Sequence, residues 1–237
     1  MFTNFAAMIV PKKVLGLTKP ELAKVLILLS IFAVGVAVAF RIMSPERQLP
    51  ILNPSDLNPA IVADSMESVG MDHVVADFEL LDQSGTRRSA ADVEGKVRVV
   101  SYFFTTCPSI CVDMAASLRR VQDAFAADGR LRILSHTAMP DYDSVPILAD
   151  YASLNGCDPQ QWWLLTGDAA ELNRLARTSY FAVLEAGQGW DEHSFIHTEN
   201  LVLVDAKGRL RGYYDGTDPK AVDQLIKDIP LLLPDAQ

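Results

Sequence analysis

The chain has 237 residues, 49% of them hydrophobic, and a formal net charge of −9, enough for one well-buried domain and a further segment. Charge divides unevenly: in residues 1–42 Lys12, Lys13, Lys19, Lys24 and Arg41 stand against Glu21, a balance of +4, so the remainder carries −13. An acidic main domain argues against a nucleic-acid binder.

Between Leu22 and Phe40 the only charged residue is Lys24. A helix of that length, rising about 1.5 Å per residue, crosses a hydrocarbon core of about 30 Å. The expected organisation is a cytoplasmic tail over 1–20, one transmembrane anchor over 21–42, a proline-containing linker over 43–70 and a globular domain over 71–237. Basic residues before and within the apolar run outnumber Arg41 and Arg47 after it, which predicts a single-pass protein of the inner membrane. Its C-terminal domain then faces the periplasm or an equivalent exported compartment. Ala37-Val38-Ala39 resembles a signal-peptidase site, so a cleaved leader is one alternative, and a buried soluble helix is another.

Pro45, Pro50, Pro54 and Pro59 with little periodicity mark the linker. Beyond it, residues 74–81 and the turn at Ser84-Gly85 suggest a short strand or hairpin, and 97–104 is a buried strand. Cys111, Met114, Ala115, Leu118, Val121, Gln122 and Phe125 recur at helical spacing, Gln122 being the polar exception, and Asp128-Gly129 ends the helix. A strand over 131–135, a helix over 145–154, a strand over 162–165 and a helix over 169–177 follow. Segments 201–204 and 210–214 flank the turn Asp205-Ala206-Lys207-Gly208 as a hairpin. Asp218 caps a last helix that has Pro219 first and Val222, Leu225, Ile226 and Ile229 inward. This order predicts an α/β layer fold with a mixed sheet.

The chemistry concentrates in Cys107-Pro108-Ser109-Ile110-Cys111, where the buried strand passes into its helix. Two thiols separated by three residues at such a turn can converge on one soft metal ion or close into a disulfide. The positive end of the helix lowers the pKa of a thiol placed there. Cys157 has no thiol near it in sequence and reads as structural. A dithiol between the first core strand and its helix makes the expected fold thioredoxin-like, three layers around a mixed central sheet.

These residues resemble the Sco/SenC family of membrane-anchored copper proteins over about 74–232. The carriers are the segment from Tyr102 to Cys111, Ile133-Leu134-Ser135-His136-Thr137 with Pro140 and Asp143 behind it, and Phe195-Ile196-His197-Thr198 before a hairpin. The runs Leu-Thr-Gly-Asp at 165–168 and Gly-Tyr-Tyr-Asp-Gly at 212–216 add to it. The resemblance implies a thioredoxin-like domain that binds one copper, as Cu(I) or Cu(II), through Cys107, Cys111 and His197. It also implies assistance to assembly of cytochrome c oxidase, whose copper-bearing subunit, or another copper-site protein, is the expected partner. The chain departs from the family at Val112, often proline, at Ser109, where an acidic residue is usual, and at Met139-Pro140, usually Asp-Pro.

Thiolates suit copper(I) and imidazole is accepted by copper(II), so a Cys₂His set can hold either state, with a position open for an acceptor. Structural zinc would want a fourth protein ligand, and none near the dithiol suggests itself. His136 is expected at a strand end, hydrogen-bonded to main chain, His193 on a solvated loop, and His73 at the domain edge. Met114 is expected in the core; Met139 is a further possible thioether donor. Trp162 and Trp163 are expected to divide between core and surface. The same dithiol supports another reading, a thiol–disulfide oxidoreductase with Cys107 as nucleophile and Cys111 as resolving thiol, which needs no histidine. A peroxiredoxin would need proline and threonine where this chain has Val100 and Phe104.

Overall fold

The computed structural model describes residues 19–43, 47–62, 65–66, 68–126, 128–184 and 196–234. The chain forms two compact units, Met1–Arg47 and Gln48–Gln237. In the first, α1 (Lys19–Met43) contains a stretch, Pro20–Arg41, long and apolar enough to cross a membrane, none of it buried. A helix apolar on every side and this long is a candidate membrane anchor.

The second unit begins inside the proline-containing segment. Leu49, Pro54 and Val62 are buried, and the Leu52 N–H donates to the Leu210 carbonyl at 2.9 Å. β1 (Glu79–Leu81) and β2 (Arg87–Ser89) form an antiparallel pair. There follow β3 (Val97–Phe103), α2 (Ile110–Ala124), β4 (Leu131–Thr137), α3 (Val145–Asn155), β5 (Trp162–Leu165) and α4 (Ala169–Thr178). A short antiparallel pair, β6 (Val183–Leu184) and β7 (Ile196–His197), precedes β8 (Asn200–Val204), β9 (Leu210–Asp215) and α5 (Pro219–Asp228).

The main sheet has the order β5-β4-β3-β8-β9; β3, β4 and β5 are parallel, while β8 and β9 run antiparallel to their neighbours. Every residue of β3 and β4 is buried, as expected of strands covered on both faces. Alternation sends Val97, Val99 and Phe103 into a core shared with α2, α3 and α5, and Val100 and Tyr102 into a second core shared with α4. The result is the three-layer mixed α/β fold that the sequence predicts. Side-chain caps start the last two helices: Asp168 accepts from the Glu171 N–H at 2.9 Å, and Asp218 accepts from the Lys220 N–H at 3.0 Å.

Four expectations are corrected. The fourth strand extends to Thr137 because its pairing with β3 continues through Phe103 opposite Thr137, and His136 is thereby carried inside. It is fully buried, its ring stacked on Tyr102 at 5.1 Å between centroids with Tyr180 at 5.3 Å. Neither ring nitrogen makes a well-formed hydrogen bond. Trp162 and Trp163 are both buried, one in each core, because Arg88 and Arg132 lie over the Trp163 ring at 4.2 and 4.5 Å and shield it from solvent. His73 is buried as well, its Nε2 3.0 Å from the Ser179 carbonyl. Only Glu79–Leu81 of the expected first strand pairs as one, since the preceding residues turn to meet the Gly208 carbonyl through the Val75 N–H at 2.9 Å.

Gln122 sits in the apolar stripe of α2 without penalty. Its amide donates to the Gly156 carbonyl at 3.1 Å, and its oxygen accepts the Asp158 N–H at 2.8 Å, so both polar ends are satisfied inside.

Candidate functional site

Cys107 lies in the loop leaving β3, and Cys111 in the first turn of α2. The loop turns tightly: the Cys107 N–H donates to the Phe104 carbonyl at 3.2 Å and the Val112 N–H to the Ser109 carbonyl at 3.0 Å. Neither thiol is in a disulfide; Cys107 is 9% exposed and Cys111 2%. Inside, Cys111 borders a void of about 10 Å³ lined also by Phe103, Met114, Tyr151 and Trp162.

The two sulfurs have opposite acidities. Burial acts to raise the Cys107 pKa, but hydrogen bonds from the Cys111 thiol, from the Ser109 and Cys111 main chain and from the Ser109 hydroxyl outweigh it, leaving the thiol below its ordinary value. Burial, reinforced by donation to Cys107, pushes Cys111 up to about 12. In the metal-free pair Cys107 therefore loses its proton before Cys111. Cys157, held elsewhere in the same core, is also pushed up to about 12 by burial, consistent with an inert structural thiol.

The loop is pinned from outside the motif. Asp143, fully buried, accepts the Thr105 N–H at 3.2 Å and the hydroxyls of Thr105 and Thr137, and the Thr137 oxygen accepts the Met139 N–H at 2.9 Å. One carboxylate thus ties the chain two residues before Cys107 to the end of β4. In sequence Asp143 is one of two acidic residues in the loop after β4, marked only by the family resemblance, and tertiary structure assigns it this position.

His197 enters through its main chain, to which its description extends. It pairs with Val183 across β6 and β7. The following residue is fastened twice, since the Thr198 N–H and hydroxyl both donate to the Ala182 carbonyl at 3.0 Å. Glu199 then accepts the Gly216 N–H at 2.8 Å, and a Cβ on Gly216 would come within 3.1 Å of Met114, one helical turn from Cys111. The strand carrying His197 is in this way closely referenced to the helix carrying Cys111. His193 lies outside the described residues. Among the described residues no third His, Cys, Asp or Glu joins the thiols as a metal-binding cluster. Met114 is in the core, as expected, whereas Met139 is exposed; His136 points into the α4 core, away from the α2 core that holds the cysteines.

A model of the SCO1/SenC family matches residues 66–232. The SCO1 protein homolog of Bacillus subtilis (strain 168) is 27% identical over 161 residues, which cover 67% of this chain and 82% of the relative. A Stutzerimonas stutzeri protein named for copper binding is 28% identical over 164 residues, 68% of this chain and 78% of that protein. Among solved structures, BsSco superposes with a TM-score of 0.59 at 26% identity, over 70% of this chain and 96% of the other. It is described as having a disulfide switch and as a member of the Sco family of cytochrome c oxidase assembly proteins.

Proposed function

As the chain belongs to the SCO1/SenC family, we propose that it is a membrane-anchored copper chaperone that serves assembly of the copper centre of cytochrome c oxidase. Cys107, Cys111 and His197 are the proposed ligands, one copper per chain. The observation that carries this reading is the Cys107-x-x-x-Cys111 pair at the β3–α2 turn, two soft donors held in a thioredoxin-like domain. A relative named for copper binding and one placed among cytochrome c oxidase assembly proteins support the cargo and the partner. A three-ligand site leaves copper open to a ligand of the acceptor, so transfer can proceed by exchange without a free ion. α1 would hold the domain at the inner membrane on its periplasmic side.

A second reading is favoured by the unequal acidities of the two thiols. The Cys107 thiolate would attack a disulfide of the acceptor and expel one acceptor thiolate, giving a mixed disulfide. Cys111, losing its proton, would then attack the Cys107 sulfur and release the second acceptor thiolate. The acceptor gains two electrons and this chain becomes a Cys107–Cys111 disulfide, which an external thiol reductant must reset. The disulfide switch described for BsSco suits this chemistry.

The deciding experiment loads the reduced full-length chain in detergent with copper(I) or copper(II) and counts bound metal. One copper per chain, lost in Cys107→Ser and Cys111→Ser, is expected. Stoichiometric zinc with negligible copper would reject the chaperone reading.

A further inference from the structure

A cleft of about 710 Å³ opens where β3 begins, bordered by Val75, Phe78, Ala90, the turn residue Gly208 and Arg98. Arg98 is the second residue of β3, five residues before the strand end that leads to the dithiol, or about 16 Å along the strand at 3.3 Å per residue. The cleft is thus separate from the cysteine site.

Arg98 is only 6% exposed, its Nε makes no hydrogen bond, and among the described residues no carboxylate lies within ion-pair distance of it. The other arginines nearby have a neighbour to act on, although Arg132 too leaves Nε and Nη1 without a hydrogen bond. Arg132, opposite it in the strand register, lies over Trp163, and Arg88 pairs with Asp82 at 2.8 Å. The nearest carboxylate in the hairpin, Asp205, directly follows Val204, the register partner of Arg98. It is already committed to Arg209 and Arg211 and to the N–H groups of Lys207 and Arg209. Gly208, at φ 80, brings main chain against the guanidinium: a Cβ there would stand 3.2 Å from Arg98 Nη2 and 2.8 Å from Val74. Arginine does not shed its proton, and with Nε enclosed without an acceptor and no carboxylate beside it, the Arg98 guanidinium at the cleft wall is suited to an anion.

The walls narrow the class of anion. Valine, phenylalanine and alanine side chains suit a hydrocarbon body, whereas Asp77 and Glu94, exposed at the rim beside Lys207, oppose a second negative charge. We propose that this cleft binds a small monocarboxylate with an apolar body, the carboxylate against Arg98 and the body along Val75, Phe78 and Ala90. Pairing of a planar carboxylate with the terminal nitrogens of the guanidinium fork would neutralise its charge.

The test is ligand-observed ¹⁹F NMR of 4,4,4-trifluorobutyrate with the full-length chain in a non-ionic detergent, against detergent alone. Saturable broadening is expected, displaced by butyrate but not by n-butanol or by inorganic phosphate at the same concentration. Arg98→Met, which keeps the aliphatic stem, should weaken binding at least tenfold. Ala90→Glu, which offers the guanidinium an internal carboxylate, should abolish it and serves as the second test where Arg98→Met fails to fold. Broadening equal to that of detergent alone, binding unchanged in both variants, or equal displacement by phosphate would each overturn the assignment.

Discussion

Thr105, two residues before Cys107, gives both its main-chain N–H and its hydroxyl to the buried carboxylate of Asp143. The loop that presents the first thiol is therefore held by a residue 36 positions further along the chain, and its geometry depends on a group that touches neither sulfur. Asp143→Ala leaves the Thr105 N–H and the Thr105 and Thr137 hydroxyls without an acceptor, at an expected cost of about 1–3 kcal/mol. Asp143→Asn should fold more nearly normally yet bind copper about tenfold more weakly, as read by competition with a chelator of known affinity. Unchanged affinity would confine Asp143 to stability.

His197→Ala should leave the fold intact and remove most copper(II) binding, while copper(I) persists more weakly on the two thiols. Absorption and metal counting on the purified variant check this. Full retention of copper(II) would transfer the third-ligand assignment to His193, since His136 is buried in the other core.

Delivery separates carrier from reductase. In cells lacking the native protein and kept without excess copper, His197→Ala, Cys107→Ser and Cys111→Ser should each fail to restore the oxidase copper centre; added copper would mask the loss by mass action. Rescue by His197→Ala with failure of both serine variants would assign the function to thiol exchange.

In the metal-free, reduced protein a limiting dose of iodoacetamide should label Cys107 before Cys111 and Cys157, which are less acidic and held by burial. Peptide mass spectrometry after timed quenching gives the order. First labelling at Cys157 would contradict the raised pKa described for it.

His136 predicts a specific acid sensitivity. Burial depresses its pKa from 6.5 to about 3, the Ser101 main chain only partly offsetting this. Below pH 6.5 the unfolded chain takes up a proton that the folded chain refuses, so this contribution is complete above that pH. It declines as pH falls toward 3, by up to about tenfold in the folding constant per pH unit. His136→Phe retains the same carboxylates, so the difference between wild type and variant isolates the ring. Denaturant midpoints should converge, or cross in favour of the variant, between pH 6.5 and 4, and parallel curves would refute the mechanism.

What the sequence made legible was local. The dithiol is contiguous, lies at a strand-to-helix boundary that periodicity locates, and needed no tertiary information. The cap at Asp218 was readable for the same reason. Asp143 was not, because its role is a relation between two loops, and neither loop announces the other. The full burial of His136 was not legible because the end of β4 is fixed by pairing with β3 and not by the strand's own alternation. Trp163 is kept from solvent by arginines contributed by β2 and β4, a cover that no single segment displays.

Gly216 gives the strand that carries His197 an adjustable spacer. Its missing side chain lets Glu199, Leu201 and Met114 close to within 3.0–3.1 Å of the vacant Cβ position. One added methyl group would wedge the β7–β8 corner away from α2 by a few tenths of an ångström while leaving every proposed donor atom in the chain. If the imidazole and the thiols share an ion, metal preference can then be retuned from a position that never contacts the metal. Changes in copper handling between related chains are accordingly to be sought at this glycine as well as among the ligands.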